Sequence, residues 1–165
     1  MPKQIVILSG EQGEGKTTRC LEIISQLKAK GESVGGFIAQ GFWENNIRSG
    51  FNLMNIQTNQ EIPFARRDSI ESWIKIKTFY FNPKAIEKGE VILRKAVLEN
   101  DWIILDEIGK LDIKGHLWSS IFTDLIKTPN KNWIICVRDI FVDEVIRHWQ
   151  MQHVSVLQLK ENFVF

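Results

Sequence analysis

Residues 10–17, Gly10-Glu11-Gln12-Gly13-Glu14-Gly15-Lys16-Thr17, spell G-x-x-x-x-G-K-[ST] and begin two residues after the apolar run Ile5-Val6-Ile7-Leu8. That placement constrains the fold more than any other feature. A short buried strand must deliver the chain into a glycine loop, and the loop must open into a helix starting near Lys16. Successive backbone N–H groups then turn inward as an anion nest, with the positive end of a helix behind them. Gly13 and Gly15 allow backbone angles and a close approach that a side chain would block. The pattern predicts that Gly10, Gly13, Glu14, Gly15, Lys16, Thr17 and Thr18 surround the phosphates of a nucleoside triphosphate. In it, Lys16 reaches the β- and γ-phosphates and the Thr17 hydroxyl joins the coordination of Mg²⁺.

A chain of 165 residues with 44% hydrophobic and 25% charged residues is expected to form one domain, residues 1–165, with a core of its own. The net charge of +1, without a basic tail or a block of like charges, gives no reason to expect nucleic acid or an anionic membrane as partner. No sequence feature specifies a protein partner. Cys20 and Cys136 are the only cysteines, both in apolar surroundings, and read as buried thiols of a reducing compartment. The N-terminal apolar run is too short for a signal peptide, and no stretch reaches membrane-spanning length, so a cytoplasmic location is expected.

Along the chain, Cys20, Leu21, Ile23, Ile24 and Leu27 recur at helical spacing, and Gly31 is placed to end that helix. Residues 33–38 read as a second strand, short because of its glycines. Strand-like pieces at 51–56, 62–65 and 73–79 predict a β-hairpin insertion at about 39–80, extending or flanking the main sheet. A helix is expected from Pro83 to about Glu99. Strands at 102–105, 133–137 and 154–159 then alternate with helices at 116–126 and 142–149. Short apolar strands alternating with helices predict an α/β, three-layer fold around a mostly parallel sheet.

A triphosphate site also needs an acid for magnesium at the carboxyl end of a buried strand. Trp102-Ile103-Ile104-Leu105-Asp106-Glu107 supplies it. Asp106 suits the Walker B role on Mg²⁺, and Glu107 stands where a carboxylate orients or deprotonates an attacking water. The order of elements places a further strand between the two motifs in the sheet. Phosphoryl transfer also calls for an extra cation. Arg138, just past the 133–137 strand, is the first candidate, and Arg48 in the insertion is the alternative.

At these residues the chain resembles the small THEP1-type nucleoside-triphosphatases, P-loop proteins of RecA-like (ASCE) topology. The resemblance rests on the glycine loop and on Leu105-Asp106-Glu107-Ile108-Gly109-Lys110-Leu111, similar to the family's extended Walker B segment. It also rests on Gly36-Phe37 and the later Arg48-Ser49-Gly50-Phe51. It implies Mg²⁺-dependent hydrolysis of ATP, GTP and other nucleoside triphosphates, and it brings Lys110 near the phosphates. The chain departs from the family pattern at Leu111 and Asp112, at Ile38-Ala39-Gln40-Gly41, and at Asn162-Phe163 where the family tends to carry Asn-Arg.

Two other readings share the same loop. One is a small-molecule or nucleotide kinase whose insertion holds an acceptor. The other is a switch-like binding module with little turnover. Phe42, Trp43 and Phe51 read as packing residues before they read as a stacking surface for a base. His148 and His153 have no carboxylate at fixed spacing and read as structural.

Overall fold

The computed structural model describes residues 2–11 and 13–162. β1 (Gln4–Gly10), buried from Ile5 onward, delivers the chain into the glycine loop, and α1 (Lys16–Ala29) opens directly out of it. Gly31, at φ 81°, ends α1: its N–H reaches the Lys28 carbonyl at 3.0 Å and the Glu32 N–H reaches that of Leu27 at 3.0 Å. This is the glycine stop that the sequence predicts.

The insertion is larger than a hairpin. β2 (Val34–Glu44) runs past its glycines into β3 (Ile47–Asn55), and β4 (Glu61–Arg66), β5 (Ile74–Ile76) and β6 (Phe79–Phe81) follow. The glycines of β2 do not shorten it. A Cβ on Gly36, at φ 110°, would overlap the Ile104 backbone, and one on Gly35 would overlap the Asn100 side chain, so both glycines let neighbours close in. The single strand expected at 73–79 is split by a turn in which Lys77 has φ 55°.

α2 (Pro83–Glu99) starts from Asn82, whose side chain accepts the Lys84 N–H at 3.1 Å. β7 (Trp102–Asp106), β8 (Asn132–Arg138) and β9 (Val154–Gln158) complete the sheet. The helix expected at 116–126 is present as the shorter α4 (Ser119–Leu125), because Leu117 at φ 49° holds residues 116–118 out of it, and a short helix that the sequence did not predict, α3 (Lys110–Ile113), precedes the turn at Gly115, φ 92°. α5 (Val142–His148) follows a 3-10 turn at Asp139–Phe141.

These strands form one nine-stranded sheet in the order β5-β6-β4-β3-β2-β7-β8-β1-β9. From β2 to β9 the pairs are parallel; from β2 outward to β5 they are antiparallel. β8 lies between β1 and β7, so the glycine loop and Asp106 leave strands two positions apart.

Alternation along the central strands fills two cores. Val6, Leu8, Ile104, Ile134 and Cys136 face α1 with Cys20, Ile23, Ile24 and Leu27. Ile5, Ile7, Ile103, Leu105, Trp133 and Ile135 face the opposite layer of α2, α4 and α5. Trp102, Trp118 and Trp133 are buried in these layers. Among the described residues no helix is long and apolar enough to cross a membrane.

Candidate active site

The glycine loop takes the backbone form its residues permit: Gly13 has φ 77° and Gly15 φ 105°, where a side chain would be strained. Gln12 lies outside the described residues. Gly15 caps α1 without any side-chain bond, so the first-turn N–H groups face outward at the positive helix end. Lys16 is buried, and its Nζ donates to the carbonyls of Gly10 at 3.1 Å and Glu11 at 2.7 Å. Glu14 turns back on the loop, accepting the Glu11 N–H at 2.6 Å. A Cβ on Gly10 would meet Glu14 Oε2 and Leu159, so Gly10 supports the loop from behind.

Thr17 Oγ1 donates to Asp106 Oδ2 at 2.8 Å, and the Ala39 N–H donates to the same oxygen at 3.1 Å. Asp106 is buried at the carboxyl end of β7. Burial raises its carboxyl above the ordinary carboxylate range, and the Thr17 and Ala39 donors oppose that rise. Glu107 follows across a cis peptide bond. Its surface is open to the cleft, yet protein surrounds the carboxyl, and that desolvation together with the Asp106 charge pushes it up to about 7.

Two arginines border the loop. Arg138 ends β8 in register with Gly10, and its guanidinium lies 5.9 Å from the Phe141 ring centroid. Arg48 comes from β3 and sits between the rings of Trp43 at 5.0 Å and Phe51 at 5.1 Å. A Cβ on Gly13 would lie 3.9 Å from Arg48 Nη2. The Nε atoms of both arginines are buried with no hydrogen-bond partner. Phe42 instead carries Arg66, at 4.5 Å. Lys110 is on the same rim and pairs with Glu144 at 2.8 Å. His148 and His153 are exposed at the far end of α5 and before β9.

Gly13, Gly15, Lys16, Thr17, Thr18, Asp106, Glu107, Arg48 and Arg138 line one cleft of about 710 Å³. Of the other wall the sequence singled out only Phe51, and as a packing residue first. Phe51, Phe64, Phe79, Phe81 and Trp118 line it, drawn from β3, β4, β6 and the α3–α4 connection, and no periodicity links them. Asp112 was also overlooked as an organiser. Its carboxylate accepts the Gly109 N–H at 2.9 Å and the Trp118 N–H at 2.9 Å, which folds residues 109–118 over the cleft. A short side-chain acceptor three residues after a glycine is its only sequence signal, and a weak one. The C-terminal Phe163 lies outside the described residues.

A family model described as NTPase matches residues 5–163. The chain is 30% identical over 142 residues to nucleoside-triphosphatase THEP1 of Methanocaldococcus jannaschii, covering 81% of this chain and 82% of that one. It is 33% identical over 144 residues to nucleoside-triphosphatase THEP1 of a Thermotoga species, covering 85% and 79%. Its fold is similar to the crystal structure of THEP1 from Aquifex aeolicus, with a TM-score of 0.71 at 21% identity over 94% of this chain and 90% of that one. A solution structure of a human cancer-related nucleoside triphosphatase is similar to the same degree, with a TM-score of 0.71 and 88% of that chain covered. With a glycine loop and an acidic strand end meeting in one cleft, and a match along nearly its whole length, the chain belongs to the NTPase family that includes the THEP1 nucleoside-triphosphatases.

Proposed function

We propose that this NTPase hydrolyses ATP, GTP and other nucleoside triphosphates to the diphosphate and phosphate with Mg²⁺, as one P-loop domain in the cytoplasm. The observation that carries this reading is the 2.8 Å bond between Thr17 and Asp106 at the mouth of the glycine loop. A hydroxyl and a carboxylate so placed are hard oxygen donors, suited to a cation that keeps several waters and takes its remaining ligands from phosphates. The donor set therefore fits Mg²⁺, which when bound neutralises charge on the β and γ oxygens.

The chain's own groups do the rest. Main-chain N–H groups of residues 13–18 hold the phosphates, Gly10 shapes the loop, and Lys16 supplies a cation from within it. Glu107, open to the cleft beside Asp106, orients water and takes its proton. Arg138 supplies the further cation from the end of β8, and Arg48 is the alternative from the insertion. Catalysis is then positioning and electrostatic stabilisation. A phosphate-release assay over a nucleotide panel, with and without Mg²⁺, tests the reading. Release that persists in Lys16→Ala or without any divalent cation would overturn it.

A further inference from the structure

The cleft extends past the glycine loop and the acidic strand end to residues of a different chemistry. Phe51 meets Phe79 at 5.6 Å between ring centroids, Phe79 meets Phe81 at 6.4 Å, Phe81 meets Phe64 at 5.2 Å, and Phe64 stacks on Trp118 at 5.4 Å. All five rings line the same cleft as Lys16, Thr17 and Asp106. Arg48, packed on Phe51 and beside Gly13, is the joint between the two ends.

Direction along the sheet says which end of the nucleotide faces this wall. The glycine loop leaves β1, Asp106 leaves β7, and the rings on β3, β4 and β6 continue the same way. The loop N–H groups hold the α- and β-phosphates, while the lysine and threonine mark the β–γ end. Provided the triphosphate binds as proposed above, its γ-phosphate points to Asp106 and Glu107, and the nucleoside leaves from the opposite side. The aromatic wall therefore lies beyond the γ-phosphate, where a group receiving it must stand. Glu107 holds a water at the near edge of this space, and past it the rings offer a water almost no polar partner. Apolar, aromatic walls with a few polar groups at the mouth are what a small organic ligand requires.

We infer that this end of the cleft is a second substrate compartment, taking a planar apolar molecule with a hydroxyl as phosphoryl acceptor. The hydroxyl oxygen bonds to the γ-phosphorus as the bond to the β–γ bridging oxygen breaks. The nucleoside diphosphate leaves with that electron pair, and the hydroxyl proton passes to the Glu107 carboxylate and on to solvent. The products are a phosphomonoester and a diphosphate. Hydrolysis is the same transfer with water in place of the alcohol.

The probes are 2-naphthalenemethanol and 2-naphthol, added to the full chain with ATP and Mg²⁺. Saturation-transfer NMR is expected to show their ring protons in contact with the protein. Phe79→Leu and Phe51→Leu should each weaken that binding about three- to tenfold, since they keep apolar volume but lose the ring face. Two separate variants carry the test if one fails to fold. Diphosphate formation should outrun phosphate release, with the difference recovered as the naphthyl phosphate. Failure of both alcohols to bind, binding unchanged in both variants, or binding with equal diphosphate and phosphate would each overturn the acceptor compartment. If wild type releases no phosphate even without alcohol, it is the hydrolysis reading that fails instead.

Discussion

Thr17 and Asp106 stand 89 positions apart in the chain and meet through a hydrogen bond of 2.8 Å. Ala39 stands against both, donating its N–H to Asp106 at 3.1 Å and facing Thr17 with its carbonyl at 3.4 Å. The start of α1, the end of β7 and the middle of β2 are thereby fixed to one another. The oxygens that would hold a cation are in place through the fold itself.

Thr17→Ala and Asp106→Asn are each expected to lower phosphate release by about 10²- to 10³-fold, since a metal clamp supplies several kcal/mol of charge stabilisation. Because the two side chains act on one cation, the double variant should lose little more than either single one. Steady-state phosphate release with all three variants checks this. Additive losses would mean that they act separately.

Glu107→Gln keeps the shape of the side chain and removes the proposed base. Turnover should fall by about 10²- to 10⁴-fold while nucleotide binding is retained, since the loop contacts are untouched. Single-turnover kinetics alongside fluorescent-nucleotide titration separates the two. A matching loss of affinity would place Glu107 in binding rather than in proton transfer.

Arg48 and Arg138 compete for one role, and the structure makes them unequal. Arg48 is held between two rings and beside Gly13; Arg138 is anchored by strand register with Gly10 and lies near one ring. Alanine at whichever arginine meets the transferring phosphoryl group should cost about 10³-fold or more in kcat, and alanine at the other far less. Lysine should not restore the first, because it lacks the planar fork. Equal small losses from both would leave neither in the role.

The glycine-loop end of this cleft was legible because its residues are local: Gly13, Gly15, Lys16 and Thr17 fall within five positions, and Asp106 and Glu107 end one apolar strand. The parallel strands were legible for a related reason, since a strand buried on both faces is a short apolar run whatever its neighbours. The extent of the insertion was not. β5 and β6 are three residues each, and the β6 rings Phe79 and Phe81 gain meaning only by meeting Phe51 and Phe64 across the sheet, with Trp118 behind Phe64. β2 was read as short because glycines weaken an isolated strand, whereas here Gly36 lets the β7 backbone approach. The late start of α4 was hidden because Leu117 adopts positive φ without being glycine, held by its neighbour's N–H on Asp112, and the four-residue α3 was too short to show a periodicity.

Asp112 offers a prediction about stability and pH. Its carboxyl is pushed up from 3.8 to about 7, chiefly by burial, against the opposing effect of the Gly109 and Trp118 N–H donors. The folded chain therefore holds this proton more tightly than the unfolded chain does. The sign follows directly: the contribution is fully present below about pH 4 and is lost as pH rises toward about 7, on the order of 1.4 kcal/mol per pH unit at most. Asp112→Asn removes the titration and leaves one of the two N–H groups poorly satisfied, at a cost of about 1–3 kcal/mol. Urea denaturation at pH 5 and pH 8 reads both effects. The variant should be the weaker protein at pH 5, and the gap should narrow at pH 8 as wild type loses its protonated acid. Glu107, whose carboxyl is raised in part by the Asp112 charge, titrates near 7 as well, so the comparison is made in a Glu107→Gln background, where the difference isolates Asp112. A gap unchanged from pH 5 to pH 8 would show that Asp112 is ionised throughout and acts only as a hydrogen-bond acceptor for the segment that covers the cleft.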